Sequence, residues 1–185
     1  MLSRRRAIGL IGASGALAGC ATTPNDEKRS GPVDETLFHE INGTQHFVRL
    51  RGDDAGNPAM MYLHGGPGAG AGISAWAYFE ALGYEKTFTL IHWDQPGAGR
   101  TFEAAGRKIP PDTTEASIAA DGLVIAEAMR ARLGKRKLVL VGGSWGSAIG
   151  LRMALARPDL FHAYVGTAQA VSKPQGEVLD RKSVV

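Results

Sequence analysis

From residue 36 onward the chain alternates short apolar runs with polar punctuation. Thr36–Ile41 and Gln45–Arg51 are strand-like runs on either side of Asn42-Gly43, a dipeptide that suits the tight turn of an antiparallel hairpin. Asp53 to Pro58 is a turn cluster, and Ala59–His64 is a short apolar strand that stops at glycine. Ile73–Leu82 then reads as a short helix and Thr87–Trp93 as a strand. Thr114–Leu133 reads as a longer helix, with Ile118, Ile125, Met129 and Leu133 on one face at helical spacing. Lys137–Val141 is an apolar strand of the kind buried in parallel sheets. Ser147–Arg157 is a helix that Pro158 ends, and Phe161–Thr167 is one more strand. A hairpin followed by β-α-β-α-β units predicts an α/β fold with a mostly parallel sheet and right-handed crossovers.

The first residues follow a different pattern. Ser3-Arg4-Arg5-Arg6 is a positive segment, and Ala7 to Ala18 is apolar, small-residued and short for a bilayer span. Leu17-Ala18-Gly19-Cys20 then resembles a bacterial lipobox, in which the cysteine is lipidated and becomes the new N-terminus. Residues 1–20 are therefore expected to be a lipoprotein signal segment, with export and a membrane anchor on the cell-envelope side. The paired arginines also resemble a twin-arginine signal, with Ala7 where an aromatic is usual. Residues 21–35 read as a flexible polar tether.

Composition sharpens this reading. Apolar residues are 44% and charged residues 21% of the 185, which is globular rather than disordered. The formal charge of +3 is carried by Arg4, Arg5 and Arg6; the rest balances at 18 basic and 18 acidic residues. No basic stripe with interleaved aromatics remains, which argues against a nucleic-acid partner. Cys20 is the only cysteine, so no internal disulfide can form and packing must hold the domain.

The 25 glycines cluster in short runs after apolar strands. Gly142-Gly143-Ser144-Trp145-Gly146 has the form G-x-S-x-G. In a glycine-rich chain that form alone is weak, but a strand before it and a helix after it make the setting of a nucleophile elbow. There the serine sits on a strained turn that projects its oxygen, and the flanking positions leave no room for side chains. A helix N-terminus at Ser144 also favours developing negative charge. The plainer reading of Ser144 is a helix N-cap after a glycine turn. His64-Gly65-Gly66-Pro67-Gly68 follows a second buried strand, where such a fold places an oxyanion loop. The backbone N–H groups of Gly66 and Trp145 are the expected oxyanion donors. Gly66, Gly68, Ala71 and Asp94 also satisfy a dinucleotide-binding pattern, but Pro67 and the glycines up to Gly72 make the loop too long for it and leave Ser144 unexplained.

Three motifs occur in order: His64 to Gly68, Asp94-Gln95-Pro96-Gly97-Ala98-Gly99-Arg100-Thr101, and Gly142 to Ser147. Over about Thr36 to Val178 the chain thereby resembles the proline iminopeptidase-like group of α/β-hydrolases. The resemblance implies a serine peptidase that releases N-terminal residues, typically proline, from a peptide or small acyl substrate through an acyl-enzyme, without a cofactor or metal. It makes Asp94 a loop-organising residue, whereas the family more often has arginine where this chain has Pro96. His64 is expected to brace its loop, His92 and His162 to be satisfied structural histidines, and Asp159 to serve a turn or cap. An esterase or lactonase on the same scaffold, or a binding lipoprotein without catalysis, are the alternatives. Epoxide hydrolases and dehalogenases place an aspartate where this chain has Ser144.

A serine nucleophile needs a base held by an acid, and in this fold both follow it in the chain. The 41 residues after Ser144 supply neither after further strands. Residues 36–179 are accordingly expected to be a partial hydrolase domain, truncated before the last strands and the cap, and inactive as written. Asp180-Arg181-Lys182-Ser183-Val184-Val185 can be back-translated to GATCGGAAGAGCGTCGTG, which resembles a sequencing adapter, so 180–185 is expected to be a non-native tail.

Overall fold

A computed structural model describes residues 30–74 and 79–170. The expectations for residues 1–29, including Cys20, and for the 180–185 tail lie outside the described residues.

Six strands form one sheet in the order β1-β2-β4-β3-β5-β6. β1 (Val33–Ile41) and β2 (Thr44–Gly52) are the antiparallel hairpin, in register from Val33 against Gly52 to Ile41 against Thr44. β2 also pairs antiparallel with β4 (Thr89–Trp93), Val48 facing Trp93. The rest is parallel: β3 (Ala59–Leu63) lies between β4 and β5 (Leu138–Gly143), and β6 (Phe161–Thr167) is the outermost strand among the described residues. The expected mixed sheet is therefore the sheet observed.

Period-two alternation divides the apolar residues between two faces. Met61 and Leu63 of β3 join Val48, Leu50, Ile91, Trp93, Leu138 and Leu140 under two long helices. Those helices are α3 (Glu115–Arg132) and α4 (Trp145–Ala156), which bring Ile118, Ile125, Met129, Ile149 and Met153 to the same core. Met61, Leu63, Ile91, Leu140 and Ile149 are almost wholly buried, each contributing about 1.5–3 kcal/mol. The other face holds a smaller cluster of Met60, Tyr62, Phe79 and Leu90. Along the β6 edge and outer α4, Val165, Leu151 and Leu155 stay exposed.

α3 begins at Glu115, one residue after the expected Thr114, and Thr114 is its N-cap. Thr114 accepts from the Ser117 N–H at 3.1 Å, and its own N–H donates to Ser117 Oγ at 2.8 Å. This reciprocal pair satisfies two donors that a helix start leaves open. No helix among the described residues is long and apolar enough to cross a membrane.

The structure corrects several boundaries. β1 begins at Val33 rather than Thr36, so residues 33–35, expected in the tether, are paired with β2. The helix expected over Ile73–Leu82 begins earlier, as α1 (Ala71–Ser74), because Asp94 Oδ1 accepts the Ala71 N–H at 2.6 Å. It does not run to Leu82, which lies exposed in a turn before the 3-10 segment Tyr84–Lys86. Gly83 at φ 68° permits that turn. A further helix, α2 (Gly99–Ala104), was not foreseen, since six residues are too few for periodicity to register. α4 begins at Trp145 rather than Ser147, so the helix starts directly after Ser144.

Candidate functional site

Ser144 is the junction between β5 and α4, and its backbone is at φ 50°, ψ −119°. That conformation corresponds to the first central residue of a type II′ turn, a position normally taken by glycine. A non-glycine residue there carries strain on the order of 1–3 kcal/mol, which only surrounding structure can hold. The holding contacts are specific. Ser144 N–H donates to the Thr167 carbonyl at 2.9 Å, across to the edge strand β6. The Ser144 carbonyl accepts from the Ser147 N–H at 2.9 Å and from the Ser147 hydroxyl at 2.5 Å. Ser147 is wholly buried, and its hydroxyl also accepts the Ala170 N–H at 3.0 Å.

The flanking glycines are there for want of space. A methyl on Gly146 would run into the Leu63 carbonyl oxygen and come within 2.7 Å of the His64 carbonyl oxygen. A methyl on Gly142 would meet the Gly146 carbonyl and lie 2.9 Å from Ser147 Cα. Ser144 itself is exposed at the carboxyl end of the sheet. This is an elbow rather than an ordinary cap, and Ser144 makes no side-chain cap bond to α4.

The glycine-proline loop lies against it. A methyl on Gly65 would sit 3.2 Å from both the Gly143 carbonyl oxygen and Ser144 Cβ, so loop backbone and elbow are in van der Waals contact. Gly66 follows at φ 118°, where a methyl would be 2.7 Å from the Gly68 nitrogen. Trp145 opens α4, whose aligned peptide dipoles turn their positive end toward Ser144. An exposed hydroxyl between a glycine loop and a helix start is suited to attack a carbonyl and to hold the resulting oxyanion on amide N–H groups.

Asp94 and His64 are scaffolding groups. Asp94 is buried, with Oδ1 on the Ala71 N–H and Oδ2 on the Arg100 N–H at 2.8 Å. Its carbonyl accepts the Thr101 hydroxyl at 2.6 Å, and the same hydroxyl accepts the Phe47 N–H at 2.8 Å. The carboxylate that a dinucleotide ribose would need is therefore already committed to backbone. His64 is wholly buried, and its Nε2 accepts the Gln95 N–H at 3.2 Å, which leaves Nδ1 to donate to the Gly65 carbonyl at 2.9 Å. Burial pushes this imidazole below its ordinary pKa. It braces the loop, as expected of it.

Two histidines depart from expectation. His92 is buried, but its Nδ1 has no hydrogen-bond partner among the described residues, and burial lowers its pKa to about 4. His162 is exposed on β6, where one sheet edge faces outward. Asp159 is paired with Arg157 at 2.8 and 2.7 Å beside the 3-10 segment Pro158–Leu160.

Gln95, Ser147 and Thr101 were not singled out from sequence. All three lie within the ordered motifs, yet nothing in the motifs' spacing says that these side chains bridge separate elements. A cleft of about 660 Å³ opens on the hairpin side of the loop, lined by Phe47, Arg49, Gly70, Asp94, Arg100 and Glu103 among others; Ser144 is not part of its wall.

Comparison with known proteins agrees with this arrangement. Residues 58–181 match the family described as alpha/beta hydrolase fold. The protein named "Probable aminopeptidase YbaC" of Bacillus subtilis is 35% identical over 82% of this chain and 45% of its own. The "Probable proline iminopeptidase" of Streptomyces coelicolor is 33% identical over 75% of this chain and 41% of its own. The crystal structure of a proline iminopeptidase-related protein from Thermus thermophilus shares the fold alone: TM-score 0.57, 24% identity, 72% of this chain and 44% of that one. The chain spans less than half the length of these relatives.

Proposed function

The chain belongs to the alpha/beta hydrolase fold family, and from that premise we propose that Ser144 is the nucleophile of a serine hydrolase. The observation that carries the reading is Ser144 at φ 50°, ψ −119°, exposed between β5 and α4 with the Gly65–Gly66 loop in contact. Its hydroxyl oxygen attacks the acyl carbonyl, and the tetrahedral oxyanion is held by the backbone N–H groups of Gly66 and Trp145. Collapse expels the leaving group and leaves an ester on Ser144, which water then hydrolyses.

The substrate class we propose is a peptide with a free N-terminus, the released residue typically proline. Its support is the names of the Bacillus and Streptomyces relatives. Neither described candidate after Ser144 is assigned as triad acid or base: Asp159 is bound to Arg157, and His162 is exposed on β6 with no carboxylate bonded to it among the described residues. We propose also that Cys20 carries a lipid anchor that holds the domain at the cell envelope.

The test is labelling of the product of the complete reading frame with a fluorophosphonate. Ser144 should be modified and Ser144→Ala should abolish both labelling and turnover. A panel of proline arylamides and esters then separates a peptidase from an esterase or lactonase. A protein that turns over acyl substrates at full rate as Ser144→Ala would end the assignment. For the anchor, palmitate label should enter the expressed protein and be lost in Cys20→Ala.

A further inference from the structure

We infer that Gln95 is a positioning residue that locks the two halves of the oxyanion hole to each other, an inference that rests on the reading of Ser144 above. One half is carried by the loop after β3, which begins at His64. The other is carried by Trp145 at the start of α4. Gln95 stands between them in the loop after β4, 2% exposed, with its backbone N–H, side-chain Nε2 and side-chain Oε1 all hydrogen-bonded.

Its side-chain Nε2 donates to the His64 carbonyl at 3.0 Å, and its Oε1 accepts the Trp145 indole N–H at 3.2 Å. A carbonyl can only accept and an indole N–H can only donate, so this amide has one orientation. Its backbone N–H adds a third bond, to His64 Nε2 at 3.2 Å. Gln95 thus holds His64 by ring and by carbonyl, and reaches across to the residue that supplies the second donor.

A buried primary amide is costly to desolvate, and replacing it by an apolar side chain of the same shape takes one partner from the His64 carbonyl and one from the Trp145 indole N–H, so some stability is lost as well. What an apolar side chain could not do is fix the separation of two elements along a hydrogen-bond direction. Oxyanion donors act only when both lie about 2.7–3.1 Å from the oxyanion. A misplacement near 1 Å costs about a hundredfold in rate. Gln95 touches no reacting atom; it acts through Trp145 and His64.

The experiment uses the product of the complete reading frame and a fluorophosphonate probe. Gln95→Met, close in shape and without the amide, should slow the first-order labelling step of Ser144 by about tenfold or more with probe affinity little changed, while the thermal midpoint falls by no more than two lost hydrogen bonds account for. Trp145→Phe cuts the same bond from its other end, and the double variant should label no more slowly than the slower single variant. The Trp145 indole N–H resonance should shift in Gln95→Met. A Gln95→Met protein that folds and labels at the parent rate overturns the inference, as do strictly additive effects of the two substitutions. Should Gln95→Met fail to fold, Trp145→Phe carries the rate and affinity comparison alone, and an unchanged labelling step there overturns the inference equally. No labelling of the parent protein sinks the Ser144 reading, and this one with it.

Discussion

Asn42, at φ 49° in the β1–β2 hairpin, and Ser144, at φ 50° in the elbow, are two of the non-glycine residues that the fold holds at positive φ. Around the hairpin turn there is open space. Gly43, at φ 77°, would bring an added methyl within 4 Å of nothing. Around the elbow there is none, and a methyl on Gly142 or Gly146 meets backbone. The hairpin turn is set by the chemistry of its own two residues, since asparagine tolerates left-handed backbone and glycine prefers it. The elbow is set from outside, by β3, β6 and the buried hydroxyl of Ser147. Strain that neighbours impose on a side chain that remains exposed is the kind that marks a working site.

The most forceful way to sharpen the contrast is to add one carbon to Gly146. Gly146→Ala drives a methyl into the end of β3, where the obstacle is backbone and cannot rotate away. The expected cost is at least about 3 kcal/mol, read as a fall in the urea midpoint. A loss under about 1 kcal/mol would show that the elbow can relax, and would remove the case that it is held from outside.

Acid is the converse perturbation, because it should hit the frame of both turns rather than either turn itself. Burial depresses His46, on β2, and His92, on β4, to about 4, and it also lowers His64 beneath the elbow. The unfolded chain takes up protons below about pH 6.5 that these folded imidazoles refuse. Stability is therefore full above that pH and falls as pH drops toward 4, by roughly 2 kcal/mol for each of His46 and His92 between pH 7 and 5. Urea unfolding at the two pH values measures it; equal midpoints would mean that the imidazoles are not held neutral.

Much of this architecture was legible beforehand. The Asn42-Gly43 hairpin, the β3 and β5 strands and the α3 face of Ile118, Ile125 and Met129 came from periodicity, because each element's burial pattern repeats along its own sequence. Ser144 and the His64–Gly68 loop were legible because glycine spacing encodes lack of room. Gln95 was not, since its partners His64 and Trp145 lie 31 and 50 residues away and no local pattern records such a bridge. α2 was missed for a related reason: its start is held by Asp94 rather than by its own N-cap, as Ala98 offers no side-chain bond. His162 differs from expectation because a strand residue's environment depends on which strand lies beside it, and among the described residues β6 is the outermost strand.

A smaller effect of opposite sign tests the strain itself. Ser144→Gly keeps the turn and removes the side chain that the backbone resists. Because Ser144 is exposed, little packing is lost. Stability should rise by about 1–2 kcal/mol in urea while fluorophosphonate labelling disappears. A destabilised Ser144→Gly protein would mean that the serine is not strained in the fold.

The smallest effect belongs to the hairpin, and it completes the contrast with Gly146. Gly43→Ala meets no atom but must hold an alanine at φ 77°, which costs about 1–2 kcal/mol. Part of this is offset because alanine also narrows the unfolded ensemble, by about 0.4–1 kcal/mol. The net loss should be about 0.5–1 kcal/mol, several times smaller than at Gly146 for the same added carbon. Asn42→Gly at the neighbouring position should leave stability within about 0.5 kcal/mol, since each residue already accepts positive φ. If Gly43→Ala proved as damaging as Gly146→Ala, then backbone sign alone, and not crowding by β3, would set the cost of a side chain at either turn.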